Sequence, residues 1–248
     1  MSMTVEYDHG RRVTLFVHEQ STLDRAISEF EKCAKAYYQQ KGQSNTNDIE
    51  QQRESCEKDL ASALRHLKVE RLRALTQIDV CYQLDEYRNA AKAAIDGTFQ
   101  EQLEAQDILG AEKHHPTDKL ANFMRMDGRP QPGPRFTAHH LVQGKGKGQD
   151  AARARVELHM QGVAVNDPDN GVWMPRTKSD KGHWAYPNAA AHTEIHTLNY
   201  EKWVYANIQF KSSEQAMRSA LIALRAHLKN GTQPQQVTSK PDKIWDGK

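Results

Sequence analysis

The sequence predicts a mostly helical α+β protein, in which a long helical region precedes a segment of short strands and helices. Three observations favour this fold class. Apolar residues recur at helical spacing over residues 21–109, residues 127–136 (DGRPQPGPRF) end this pattern, and short apolar runs then alternate with helical ones. The chain has 248 residues, which is enough for one or two domains with a sizeable core.

The N-terminal part is predicted to hold a small hairpin followed by long helices. The segment VEYDHGRRVTLFVHE has turn residues at its centre, which favours a hairpin around Gly10. Ser21 and Asp24 form a capping-box-like pair that opens a first helix. The polar segment KGQSNTND separates it from a highly charged helical pattern in which Gly97 and Gly110 are the expected breaks. We therefore predict two or three helices in a hairpin or coiled-coil-like bundle.

The C-terminal part is predicted to alternate short strands and helices. An apolar stretch, FTAHHLV, leads into a glycine–lysine loop and a helix over residues 149–161 closed by Gly162. The segment VAVNDPDNGVWMP predicts a pair of short strands joined by a turn. Two helices follow, over residues 189–210 and 213–229. The predicted domains are therefore 1–112 and 113–232, with a flexible tail over 233–248.

The charge of the chain is unevenly distributed. Residues 1–112 carry a net charge of −6 and residues 113–248 a net charge of +8. A basic C-terminal part predicts an anionic partner, with nucleic acid first among the candidates; the alternative is that the two parts attract each other. Three cysteines without metal-binding spacing favour a reducing compartment, and no apolar run resembles a secretion signal or a membrane span. We therefore expect a cytoplasmic protein that leaves its cell, if at all, by a route independent of an N-terminal signal.

Histidine is concentrated in the C-terminal part, where six of the 12 histidines fall within residues 139–196. His192 and His196 have the spacing that places two imidazoles on one face of a helix, within reach of one metal ion. His139 and His140 are adjacent on a predicted strand and would point to opposite faces, so one can bind a metal while the other acts as a base. Asn170 lies between these two groups in the sequence, and its amide is suited to fixing the tautomer of a free imidazole.

The order His-His, Asn, His-x-x-x-His resembles the HNH, or ββα-metal (His-Me finger), nuclease superfamily over residues 136–208. The motifs AHHLV, NGVWMP and HTEIHTLNYEKWV are more narrowly similar to its AHH branch, found at the C-terminal end of bacterial polymorphic and type VI secretion toxins. The resemblance implies a C-terminal ββα-metal nuclease domain after the helical bundle.

Five residues receive roles from this resemblance. His139 would bind the metal, His140 would be the general base, and Asn170 would orient His140. His192 and His196 would complete the metal site. Three nitrogen ligands suit Zn²⁺, Ni²⁺ or Co²⁺ by ligand softness, whereas the resemblance also admits Mg²⁺, so the identity of the one divalent ion stays open.

Basic residues near these motifs are candidates for holding a phosphate backbone. They are Arg135, Lys145, Lys147, Arg153, Arg176 and Lys178.

The expected function is that of a metal-dependent DNA endonuclease toxin with little sequence specificity, secreted as an antibacterial effector into the cytoplasm of a target cell. Its expected partners are DNA, an acidic immunity protein, and a secretion-apparatus or adaptor protein bound through the N-terminal helices. Three alternatives stay open: an RNA-cleaving toxin of the same fold, a non-catalytic zinc-stabilised nucleic-acid-binding module, and a chain whose function resides in the N-terminal bundle.

Overall fold

A computed structural model describes residues 7–8, 11–12, 22–44, 50–242 and 244–248. The chain divides into two compact units, Met1–Tyr82 and Gln83–Lys248. Both contain helices and a pair of antiparallel strands. The predicted α+β, mostly helical class is therefore confirmed.

The first unit contains a minimal hairpin and long helices. Strands β1 (Tyr7–Asp8) and β2 (Arg11–Arg12) pair antiparallel, as the turn around Gly10 predicts. Helix α1 spans Thr22–Ser44 and α2 spans Glu50–Asp96. The predicted capping pair involves Ser21, which lies outside the described residues. Helix α2 continues for 47 residues because its sequence contains neither glycine nor proline, the two residues that most strongly oppose helix propagation.

The second unit begins inside α2, at Gln83. After Gly97, Thr98 caps helix α3 (Phe99–Ala111) with a capping box to Glu101. The end of α2, helix α3 and the loop before the second strand of the sheet share a small core of Ala91, Ala94, Ala105, Leu109 and Ala164. This core places the C-terminal end of α3 against that loop.

The sheet of the second unit consists of β3 (Phe136–His140) and β4 (Gly171–Pro175), paired antiparallel from Phe136↔Pro175 to His140↔Gly171. The prediction of a strand pair within residues 163–175 is wrong, because β4 pairs with β3 and residues 163–167 form no strand. The turn segment instead forms a short 3₁₀ helix, Pro168–Asn170. Asp167 favours this turn by accepting a 2.8 Å hydrogen bond from the backbone of Asp169.

Each face of this sheet packs against helices. Helix α4 (Asp118–Met126) covers one face through Leu120 and Met124, which pack with Ala138 and Trp173. The other face belongs to the main core, to which the sheet and three helices contribute: α5 (Gln149–Met160), α6 (Leu198–Ile208) and α7 (Glu214–Asn230).

Two predicted helix ends are confirmed, and one predicted helix is shorter than expected. Helices α5 and α7 end at Gly162 (φ +64°) and Gly231 (φ +68°), where the left-handed backbone favours glycine. Helix α6, predicted over 189–210, begins only at Leu198, because Thr197 caps it by accepting a 3.0 Å hydrogen bond from the backbone of Tyr200. The preceding segment forms the short 3₁₀ helix His192–Glu194.

The C-terminal tail is packed, although the sequence predicted a flexible one. Val237 is fully buried in the main core. The Asn199 amide donates to the carbonyls of Gln236 and Lys240, and Thr197 donates to that of Val237. Residues 233–242 therefore extend the support of α6. None of the described helices is long and apolar enough to cross a membrane.

Candidate metal centre and catalytic cleft

The two adjacent histidines of β3 point to opposite faces of the sheet. His139 lies opposite Val172, on the face that packs against α6, while His140 shares the face of Ala138. Both side chains are almost completely buried. Strand alternation thus separates two imidazoles that are neighbours in the sequence.

On the α6 side, His139 meets His192 and His196. One nitrogen from each imidazole lies within 4.8 Å of the others. The Nε2 atoms of His192 and His196 are 3.1 Å apart. This is a hydrogen-bond distance between the two rings, and it is also close to the roughly 3.3 Å that separates two nitrogens on one tetrahedral zinc ion. The donor set therefore fits a divalent metal ion.

The two loop histidines reach this position differently from the prediction. They were expected on one face of a helix, but His192 lies in a 3₁₀ helix and His196 in the turn before α6. The spacing still brings the rings together, with centroids 4.4 Å apart.

Tyr200 determines which nitrogen of His139 is free. Its buried hydroxyl donates to the carbonyl of Leu141 at 2.8 Å, so it can only accept from His139 Nε2, 3.0 Å away. Nε2 therefore carries the proton, and Nδ1 is left to bind a metal. A hydrogen bond to the second ring nitrogen is the usual way in which proteins orient a metal-binding histidine.

Burial keeps these imidazoles neutral, the protonation state that metal binding requires. Desolvation lowers the pKa of His139 well below its usual value, and the charges of His192 and His196 add to the effect. Desolvation, followed by the charge of His196, lowers the pKa of His192 to about 4. The pKa of His196 is lowered by burial and then by Lys147.

His140 faces away from the triad and is bound by Asn166. Its Nε2 lies 2.9 Å from the Asn166 Oδ1 atom. Desolvation lowers the pKa of His140 to about 4, although the hydrogen bond that the ring donates to Asn166 acts in the opposite direction. The hydrogen-bond partner of His140 is therefore Asn166, rather than Asn170 as the resemblance implied.

Asn170 instead braces the loop that follows β3. Its Oδ1 accepts from the backbone N–H of Val142 at 2.7 Å, and its Nδ2 donates to the carbonyls of Val142 and Val165. The two asparagines therefore have different contacts. Asn170 holds the backbone after His140, and Asn166 binds the imidazole.

Asn166 is itself held by the C-terminal end of α3. Its Nδ2 donates to Glu112 Oε1 at 2.9 Å and to the carbonyl of Lys113 at 3.0 Å. The Glu112 carboxylate also accepts from Tyr87 and Lys119, both at 2.6 Å.

A cleft of about 360 Å³ opens onto both histidine groups. His139, His140, His192 and His196 line it together with a second histidine doublet, His114 and His115. Gly144 lets its loop approach this doublet, since a Cβ atom there would lie 2.1 Å from the His114 ring. The doublet is visible in the sequence as two adjacent histidines before a proline. It was not predicted because it precedes the segment that contains the other motifs.

The glycine–lysine loop after β3 is tied to α6 by Glu201. This buried carboxylate accepts hydrogen bonds from the backbone N–H groups of Lys147, at 2.6 Å, and Gly148, at 2.7 Å. The Lys147 ammonium then donates to the carbonyl of His196 at 2.6 Å. Lys147, predicted to contact phosphate, therefore supports the metal-binding loop.

The other predicted phosphate-binding residues lie in different surroundings. Lys145 is exposed and lines the cleft, and Arg176 is exposed after β4. Arg135 is 3.5 Å from Asp180, and Arg153 is 3.5 Å from Asp150. Lys178 is 3.7 Å from Glu194 and lines a polar pocket next to the cleft, together with Lys147 and His196.

Comparison with known proteins agrees with this geometry. Residues 120–230 match a family described as AHH, a nuclease family of the HNH/ENDO VII superfamily with conserved AHH. This segment is called the AHH nuclease domain below, after the family that it matches. The AHH nuclease domain contains the Ala138-His139-His140 sequence, both strands of the sheet and the His192/His196 pair, so the expected resemblance is confirmed. The match supports nuclease activity for this domain, with nucleic acid as its class of substrate.

A second comparison adds no functional information. A stretch of 93 residues, 38% of the chain, is 33% identical to a protein of Oryza sativa subsp. japonica named probable 1-deoxy-D-xylulose-5-phosphate synthase 2, chloroplastic. The match spans 13% of that protein, so the activity in its name is not transferred to this chain. No solved structure matches the chain.

Proposed function

We propose that the AHH nuclease domain is a metal-dependent endonuclease that hydrolyses DNA with little sequence specificity. The observation that carries the proposal is the arrangement of β3, which contributes His139 to a metal-binding triad on one face and presents the amide-bound imidazole of His140 on the other. Both open onto the same cleft.

In this mechanism His139, His192 and His196 hold the divalent ion. When bound, the ion supplies electrostatic stabilisation of the scissile phosphate and the leaving oxygen. His140 accepts a proton from the attacking water, a step for which its ring must be unprotonated. Desolvation, which lowers the pKa of His140 to about 4, keeps the ring in that form at neutral pH. Asn166 holds the ring at the edge of the cleft.

The proposal of a nucleic-acid backbone as the substrate rests on the charged surface rather than on base recognition. Lys145 lines the cleft, and Arg176 and Arg135 are exposed around the sheet. Such side chains bind phosphates and carry no sequence information, which supports low specificity. The same contacts suit RNA, so an RNA-cleaving enzyme is the second outcome that the experiment below distinguishes.

The test is incubation of the purified chain with plasmid DNA and with structured RNA, with EDTA or with added Zn²⁺, Ni²⁺ or Mg²⁺. We expect nicking and linearisation of the plasmid that EDTA abolishes and one of the metals restores. Cleavage of RNA alone would replace the DNase assignment with the RNase one, and no cleavage with any metal would refute the enzymatic proposal.

Two variants separate catalysis from a structural metal site. His140→Ala should keep its Zn²⁺ affinity and melting temperature but lose cleavage by about 10²–10⁴-fold, the usual contribution of a general base. His192→Ala should lose Zn²⁺ binding and cleavage together. If His140→Ala instead loses zinc and stability, the alternative of a non-catalytic zinc-stabilised module is favoured.

We further propose that the nuclease acts as an antibacterial toxin, made in the producer cytoplasm and delivered to the cytoplasm of a target cell. The charge of +8 over residues 113–248 supports an acidic immunity protein as a partner. The N-terminal helices are proposed to bind a secretion-apparatus or adaptor protein. Expression of the chain in a bacterium with and without neighbouring open reading frames tests toxicity and its neutralisation.

A further inference from the structure

We infer that Glu112, at the C-terminal end of α3, is a positioning residue that sets the tautomer of the proposed general base through Asn166. Glu112 lies outside residues 120–230, the segment that matches the nuclease family. The inference rests on the proposed role of His140 and names a residue that the family motif does not contain.

The first step is the orientation of the Asn166 amide. An ionised carboxylate can only accept hydrogen bonds, so the Asn166 group facing Glu112 must be the NH₂ group. The carbonyl of Lys113, 3.0 Å from the same nitrogen, is also an acceptor. With Nδ2 held by these two acceptors, Oδ1 is directed at His140.

The second step is the tautomer of His140. Oδ1 has no proton to give, so the 2.9 Å contact requires that His140 Nε2 carries the hydrogen. In a neutral imidazole the other nitrogen, Nδ1, is then unprotonated. Nδ1 is the atom that can accept a proton from water in the cleft that His140 lines. An inverted amide would favour the opposite tautomer, with the proton on the nitrogen that has to act as the base.

The third step is the fixed position of Glu112. Tyr87 donates to Oε2, and Lys119 donates to the Oε1 atom that also binds Asn166. Burial, followed by the charge of Glu112, raises the pKa of Tyr87 far above its usual value, so this hydroxyl remains a donor. Tyr87 in turn accepts from the backbone N–H of Asn166 at 3.0 Å. The carboxylate is therefore held from three sides, and the loop carrying Asn166 is bound at both its backbone and its side chain.

The tautomer is read directly by NMR. In the ¹⁵N-histidine-labelled full chain with Zn²⁺ added, long-range ¹H–¹⁵N spectra distinguish Nε2–H from Nδ1–H imidazoles, and the His140→Gln variant identifies the His140 signals. We expect wild-type His140 to be an Nε2–H tautomer. An Nδ1–H ring in the wild-type chain overturns the inference, whether or not any variant folds.

The kinetic consequence is tested with Glu112→Ala. We expect kcat for cleavage of a DNA duplex to fall about tenfold. This is the lower end of the roughly 10–100-fold loss that is usual for residues that orient an active-site group. The loss is small because the Lys113 carbonyl still accepts a hydrogen bond from the Asn166 amide. KM should be unchanged, and the His140 signals should shift towards a mixture of tautomers. Glu112→Gln keeps an acceptor for Asn166 and should stay within about threefold of the wild-type kcat.

Glu104→Ala is the matched control, since Glu104 is an exposed residue of the same helix whose side chain accepts a 2.7 Å hydrogen bond from Gln100. It removes the same charge without touching Asn166 and should leave kcat and the His140 signals unchanged. If Glu112→Ala folds and keeps the wild-type kcat and the wild-type His140 signals, the inference is wrong while the nuclease proposal stands. If the wild-type chain cleaves no nucleic acid, the nuclease proposal fails while the NMR result still decides the role of Glu112.

Discussion

The link between Glu201 and the glycine–lysine loop predicts that Glu201→Gln destabilises the nuclease unit and weakens its metal site. The Glu201 side chain is 3% exposed and accepts two short hydrogen bonds from consecutive backbone N–H groups, those of Lys147 and Gly148. A glutamine of the same shape offers one acceptor atom, and its NH₂ group then faces the second N–H. One backbone donor is left without a partner in a partly buried position.

The size of the effect follows from these bonds. A hydrogen bond to a charged group contributes about 1.5–3 kcal/mol, and the substitution removes one and makes the other neutral, so we expect a loss of about 2–3 kcal/mol in the free energy of unfolding. For a unit of this size that corresponds to a melting temperature lower by about 4–12 °C. Since Lys147 also binds the carbonyl of His196, the Zn²⁺ affinity should fall about tenfold.

The assays are thermal unfolding followed by circular dichroism and titration with Zn²⁺ by calorimetry. Glu157→Gln is a suitable control, because Glu157 accepts a single exposed hydrogen bond of 3.3 Å from the backbone of Phe210. It should change the stability by less than about 0.5 kcal/mol. A Glu201→Gln protein that melts within about 1 °C of wild type, less than the roughly 2 °C expected for a loss of 1 kcal/mol, would show that Glu201 does not anchor the loop.

Two further predictions concern the segment before β4. Asn170→Ala removes the side-chain hydrogen bonds that hold the backbone around Val142 and should lower the free energy of unfolding by about 2–4 kcal/mol, measured by urea denaturation; a loss below about 1 kcal/mol contradicts the bracing role. Burial acts to raise the pKa of Asp169, but hydrogen bonds and charges from Arg129 and Arg218 outweigh it and lower the pKa to about 2. Because the folded-state value lies below the ordinary 3.8, this carboxylate contributes about 2 kcal/mol of stability that is present above pH 4 and lost as the pH falls towards 2. Unfolding of wild type and Asp169→Asn between pH 2 and 6 tests this, and parallel pH profiles would refute it.

Local patterns in the sequence were sufficient for several features of the fold and of the site. Alternation along a strand predicts that His139 and His140 face opposite sides, and the structure confirms this. The glycines that end α5 and α7 act through their own backbone conformation, which depends little on distant residues. These features are local, so periodicity and turn chemistry report them.

Several features that depend on contacts between distant segments were not predicted. The choice between Asn166 and Asn170 follows from the path of residues 163–170 against α3, and both asparagines have the right chemistry. Glu112 contacts Asn166 across 54 positions of sequence, beyond the reach of any local pattern. Thr197, the N-cap of α6, was a local indication that this helix begins late. The apolar pattern continues before Thr197, however, and it predicted a longer helix.

His139 and His140 lie on opposite faces of β3, and the number of residues that precede them in the strand determines which face each one occupies. A strand shifted by one residue exchanges its faces, so a single insertion within β3 would turn His139 towards Asn166 and His140 towards Tyr200 without removing either histidine. The domain should therefore tolerate insertions and deletions in this strand far less than in the glycine–lysine loop that follows it. In a library of variants that differ in segment length rather than in residue type, we expect functional variants to keep the natural length of this strand.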